Sequence, residues 1–201
     1  MGYVESFILG EYSIIKTTVT SDRDVVDAHI LHFLSTSNKT NVLGFDTEWH
    51  LHDTQAAASR CATLHLGDGK SCLIIQLSCF GRVIPESLVN FLRLPNYTFV
   101  GFGIKDNVAK LEKYYGFGCR NAVELAPMAA SILKKPRLIY CGVDEVYRDI
   151  WGWDLRTARP LNIITFEWGA FELSKELAKL ATINVFSYYS IGNDLLSNDY
   201  E

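Results

Sequence analysis

Two acids, one residue apart at the end of an apolar run, constrain this chain more than any other feature. The run is Val42-Leu43-Gly44-Phe45-Asp46-Thr47-Glu48-Trp49-His50. Side chains alternate faces along a strand, so Asp46 and Glu48 project to one side while Phe45, Thr47 and Trp49 project to the other. A sheet built on this run carries two carboxylates together at a strand end. Burying both costs on the order of several kcal/mol unless a cation lies between them, because each loses water and feels the other. A hard divalent metal is the natural neutraliser. The competing reading places both acids outside the sheet, solvated at its rim.

The elements around this strand alternate in period. Tyr3 to Leu9 and Tyr12 to Thr20 read as strands about a Gly10-Glu11 turn, an N-terminal β extension over residues 1–20. Ser21 and Asp24 resemble a capping box ahead of the stripe Val26, Ile30, Phe33 and Leu34, a helix ended before Ser37-Asn38. Thr63 to Leu66 and Ser71 to Leu77 form a hairpin around Gly67-Asp68-Gly69-Lys70. Pro85-Glu86 opens a short helix through Leu94, and Tyr97 to Phe102 is the next strand. It delivers the chain through Gly101 and Gly103 into a helix with the stripe Ile104, Val108, Leu111 and Tyr115, stopped by Gly116. Asp106 lies at that strand-to-helix junction, where a partial positive charge favours an acid of any purpose.

Helices are expected from Asn121 through Leu133 and over Val143 to Trp151, with the basic break Lys134-Lys135-Pro136-Arg137 between them as a solvated connector or a phosphate-facing loop. A last helix starts near Ser174, with Leu177, Leu180, Ala181, Asn184 and Tyr188 on one face. Asn184 thus faces inward, where its amide needs partners.

A length of 201 residues, 48% of them hydrophobic, suits one compact domain over 1–201. The net charge of −4 gives no global attraction for nucleic acid, but its distribution is uneven. Between Gly101 and Tyr140 seven basic residues stand against three acidic ones, leaving −8 on the remainder. A basic flank beside an acidic site suits a phosphate-binding enzyme. Five cysteines without a Cys-x-x-Cys pair read as reduced thiols of a cytoplasmic or nuclear protein. No apolar stretch reaches the ~18 residues of a membrane span. The apolar-aromatic stretch Phe186 to Leu196 leaves room for a homo-oligomer through an exposed patch.

Phe45-Asp46-Thr47-Glu48, then Gln76-Leu77, Val100 to Asp106 with Lys110-Leu111, Asn121 to Leu125, and Trp168 with Leu173-Ser174 resemble, in that order, the 3′–5′ exonuclease domain of the DEDD (DnaQ-like) superfamily. The Werner-syndrome-type branch is the most similar, over about Val42 to Leu196. The resemblance implies an α/β, ribonuclease H-like fold, a mixed sheet flanked by helices. It implies phosphodiester hydrolysis at DNA or RNA 3′ ends with two divalent ions, Mg2+ or Mn2+. Carried over by position, Asp46, Glu48 and Asp106 are the metal ligands, with Glu48 also orienting the water.

The third block departs from the family. Leu180 stands where the family has tyrosine or histidine, and Asn184 where it has the fourth aspartate, so both the base and one negative charge are missing. Asn184 is then a weak or water-mediated ligand. Tyr188, Tyr189, His50, His52 and Asp194 are candidate substitutes, none at the family's spacing. The alternative function is an inactive module that binds nucleic acid or serves as a scaffold. A relative sharing the fold alone is the third reading.

Overall fold

The computed structural model describes residues 2–9, 13–36, 40–50, 61–81, 83–161, 163 and 167–197. The proposed Gly10-Glu11 turn and His52 lie outside these residues, while the first helix ends at Ser35, before Ser37-Asn38 as expected. The fold is α/β. Its centre is a seven-stranded mixed sheet in the order β1-β2-β5-β4-β3-β6-β7. β3 (Val42–Trp49) is the acidic strand, antiparallel to β4 (Cys61–Gly67) and parallel to β6 (Thr98–Gly101). β5 (Ser71–Ile75) completes the hairpin, with Asp68 accepting from the backbone of Lys70 and Ser71 in its turn. β1 (Gly2–Leu9) and β2 (Ser13–Thr20) form an antiparallel pair that extends the sheet where β2 runs parallel to β5.

Helices cover both faces, and the alternation along β3 decides which side chains meet them. Leu43 and Phe45 face a layer made by α1 (Arg23–Ser35), α2 (Glu86–Leu92) and α3 (Ile104–Tyr115), packing with Phe33, Phe91 and Phe99. The other face is covered by α6 (Lys175–Ser197) together with α4 (Leu125–Ile132) and α5 (Val143–Trp151). α1 is capped by Asp22, whose carboxylate accepts from the Asp24 amide, and not by the Ser21 box. The segment after Asn121 is not helical from its start. Ala122–Glu124 forms β7, because Val123 and its neighbours extend the parallel ladder of β6 before the helix begins.

Two further stretches make contacts that no local pattern encodes, and the second of them corrects an expectation. The basic break is a solvated connector, with the exposed Lys135 and Arg137 both paired to Asp149 of α5. The stretch Phe186 to Leu196 is not an exposed patch. Tyr188, Ile191 and Leu195 are buried against Val42, Val100 and Leu125, and only Leu196 of its large apolar residues is exposed.

Candidate active site

Gly44 sets the position of the site. A Cβ built there would meet the Val185 carbonyl oxygen at 2.0 Å, so α6 lies directly on the backbone of β3. That close approach carries Asn184 to Asp46, two residues along the strand. Asp46 is 7% exposed; its Oδ1 accepts from the Thr47 amide at 2.9 Å, and its Oδ2 accepts from Asn184 Nδ2 at 3.4 Å. The Tyr188 side chain, one turn further along α6, also favours the ionised form of this carboxyl. Burial pushes Asp46 up to about 7 against the pull of these bonds and of the Arg159 charge. Glu48, on the same face and half-buried, is pushed up to about 7 by burial and then by Asp46. β3 therefore presents a coupled pair of acids held near neutrality, as the strand pattern requires.

Asn184 is not free to act as a simple oxygen ligand. Its Oδ1 accepts from Arg159 Nη1 at 3.0 Å, and Arg159 in turn donates through Nη2 and Nε to Asp144 Oδ1 at 2.8 and 3.3 Å. Arg159 follows the 3-10 turn Leu155–Thr157, which Leu155 anchors in the core beneath α6. Sequence reasoning did not single out Arg159, and its distance along the chain from both Asp46 and Asn184 leaves no local signal for it.

Asp106 is exposed in the first turn of α3. It lines a groove of about 450 Å³ with Trp49, Ala109, Lys110, Lys113 and Tyr114. It is the next residue, Asn107, that reaches β3, its Oδ1 accepting from Trp49 Nε1 at 3.3 Å. Among the described residues, no three of His, Cys, Asp and Glu are arranged to hold a metal ion, so Asp106 does not join Asp46 and Glu48 in one cluster. In the groove, Lys110 Nζ lies 5.4 Å from the Trp49 ring centroid and Lys113 Nζ 5.0 Å from that of Tyr114. Glu124 fixes the start of α3, its carboxylate accepting from the Gly103 amide at 2.6 Å.

The proposed substitutes are distributed differently. Leu180, in the first turns of α6, packs among apolar residues of the core. Tyr188 is buried, with its hydroxyl pushed well above 10, first by burial and then by Asp46, so it stays protonated. His50 lies against Gly169, where a Cβ would meet its ring at 1.9 Å. Tyr189 lies over Gly69, and Asp194 is half-buried further along α6. Gln76 is structural, its Nε2 donating to the carbonyls of Ala170 and Phe171. His65, Cα-paired with Asp46 across the ladder, also went unnoticed in the sequence. It shares a hydrogen bond with Thr63 at 2.8 Å, packs 5.5 Å from Trp168, and burial pushes it down to about 3, so it is neutral.

Residues 27–155 match the family model described as 3′–5′ exonuclease. The chain belongs to the 3′–5′ exonuclease family. The matched part includes Asp46, Glu48 and Asp106 and ends before Asn184. No curated protein sequence matches the chain.

Solved exonuclease structures share the fold. Escherichia coli RNase D is 16% identical with a TM-score of 0.70, over 89% of this chain and 44% of that one. Trypanosoma brucei RNase D in complex with GMP is 14% identical with a TM-score of 0.73, over 90% of this chain and 57% of that one. The EXD2 exonuclease domain is 20% identical with a TM-score of 0.52, over 90% of this chain and 94% of that one. The chain thus spans about half the length of the two RNase D proteins. The seven-stranded mixed sheet flanked by helices is the ribonuclease H-like arrangement of these exonucleases. Among the described residues no helix is long and apolar enough to cross a membrane.

Proposed function

We propose that this chain is a metal-dependent 3′–5′ exonuclease domain that removes nucleotides from DNA or RNA 3′ ends with slow turnover. The observation that carries the reading is the Asp46–Glu48 pair on β3, followed directly by Trp49, which lines a groove with Lys110, Lys113 and Tyr114. Two acids both pushed up to about 7 fit one divalent ion, which would let both ionise. Mg2+ and Mn2+ are commonly held by one or two carboxylates with water and substrate phosphate completing the shell. Such an ion polarises a phosphoryl oxygen and makes a bound water more acidic.

The chain's own groups divide the remaining work. Asp46 and Glu48 hold the ion, and Glu48 orients the attacking water. Asp106 acts across the groove through water, and Asn184 contributes at most a weak contact while Arg159 engages its oxygen. Lys110 and Lys113 meet the backbone phosphates, and Trp49 and Tyr114 offer faces to the terminal bases. Neither Leu180 nor Tyr188 is suited to take a proton at neutral pH, since Leu180 is apolar and the buried Tyr188 hydroxyl is pushed well above 10. Slow turnover follows from that. We place the chain as a single exonuclease domain of the Werner-type branch, on the strength of the Phe45–Glu48 and Asn121–Leu125 blocks.

One observation favours a second reading, a non-hydrolysing nucleic-acid-binding module. It is the Asn184 amide group turned toward Asp46, with a guanidinium behind it. Degradation of 5′-labelled single- and double-stranded DNA and RNA with Mg2+ or Mn2+ separates the two. The exonuclease reading expects a ladder shortening from the 3′ end that disappears in Asp46→Ala. Binding without any ladder in the wild type, and cleavage gained in Asn184→Asp, selects the module.

A further inference from the structure

The Asp46 site contains a fixed cation contributed by a distant part of the chain. Arg159 donates to Asp144 on one side and to Asn184 Oδ1 on the other, and Asn184 Nδ2 donates to Asp46 Oδ2. The four residues come from α5, the loop before α6, α6 and β3. The amide orientation follows from the charges at its two ends. Rotating it by 180° would set an oxygen against the Asp46 carboxyl and an NH2 against the guanidinium, losing both bonds. The Arg159 side chain is 23% exposed and its Asp144 partner 25%, so the cation is largely withdrawn from water. Its charge is felt at both Asp46 and Tyr188. An asparagine relay transmits this field without adding a third acid to the site.

We propose that Arg159 is the resident cation of the Asp46 site, and that its guanidinium competes with a divalent ion for the electrostatic well made by Asp46 and Glu48. The inference rests on the reading of that pair as an ion site. It assigns Arg159 as a positioning residue that acts through Asn184 and sets how tightly the ion is held. At the separations spanned by such a relay, one positive charge opposes an ion by about tenfold in affinity even with the screening of water.

The test is Mn2+ binding to the whole chain, read by electron paramagnetic resonance of free Mn2+ and by calorimetry, with no nucleic acid and no turnover. Wild type is compared with Arg159→Gln, which removes the charge, and Arg159→Lys, which keeps it. Arg159→Met, retaining the apolar stem, replaces the first variant if that one does not fold. We expect Arg159→Gln to bind Mn2+ about tenfold tighter than wild type and Arg159→Lys to stay within about threefold of it. Wild type without Mn2+ but Arg159→Gln with it supports the competition and removes the metal-enzyme reading of the wild type. Equal affinity in wild type and Arg159→Gln overturns the role of Arg159 and leaves that reading intact. No Mn2+ bound by either protein overturns both.

Discussion

Replacing Asp46 by asparagine should stabilise the metal-free protein at alkaline pH, the reverse of what most buried substitutions do. A carboxyl that ionises at 3.8 when free is pushed up to about 7 in the fold, chiefly by burial. The folded state therefore favours the protonated form. The stability from this group is fully present below about pH 4 and is lost as pH rises through about 7. At 1.36 kcal/mol for each tenfold in proton affinity, the loss at pH 8 amounts to about 4 kcal/mol. An amide at this position escapes that loss but gives up the acceptor that faces Asn184 Nδ2, which costs about 1 kcal/mol. Coupling to Glu48 and relaxation around the charge reduce the difference further, so the net gain at pH 8 is about 2 kcal/mol.

In a thermal melt with EDTA at pH 8, Asp46→Asn should therefore raise Tm by about 4–8 °C. At pH 4 the sign inverts, because the wild-type carboxyl is protonated and the variant has only lost a hydrogen bond. Adding Mg2+ or Mn2+ should close the gap by stabilising the wild type alone. A variant less stable than wild type at both pH values, in EDTA, would refute the account of the site as two acids held near neutrality by burial.

Gly44→Ala should cost about 2 kcal/mol, read in urea melts, since α6 must retreat from a carbonyl 2.0 Å from the new methyl; Gly142→Ala, whose nearest contact is a flexible Glu145 oxygen at 3.3 Å, should change little. Substituting Lys110 and Lys113 together by alanine should weaken single-stranded DNA or RNA binding and lower the slope of log affinity against log salt by about 2, as fluorescence anisotropy would report. Trp49→Ala should weaken the same binding by about 1–3 kcal/mol with little change in that slope. Asp106→Asn should lower nuclease activity less than Asp46→Asn does in a gel assay of labelled strands, because Asp106 stands at the groove and outside the carboxylate pair.

Where the pattern is local, the chain's own order was enough. The alternation of Phe45, Asp46, Thr47 and Glu48 fixes which faces of β3 are apolar and acidic, and the structure keeps both acids on one side of the sheet. The boundaries of α3 follow from Gly103 and Gly116, each at positive φ, and those of α5 from its apolar spacing. Period and punctuation act over a few residues, so they survive in sequence. A three-residue strand such as β7 carries too little pattern to be seen, and it exists because β6 offers it a parallel partner.

The composition of the site is a different matter. By itself the sequence determined the sheet-and-helix order, the acid pair and the departure at Leu180 and Asn184. Only the tertiary structure decided that α6 lies on Gly44 and so carries Asn184 to Asp46, that Asn107 and not Asp106 meets Trp49, and that Lys135 and Arg137 are tied to Asp149. It alone brought Arg159, between Asp144 and Asn184, into the field of Asp46. The physical reason is that burial and charge pairing depend on distances in space. Residues that share no period or spacing in the chain can still share one low-dielectric pocket, and there their charges decide what the pocket holds.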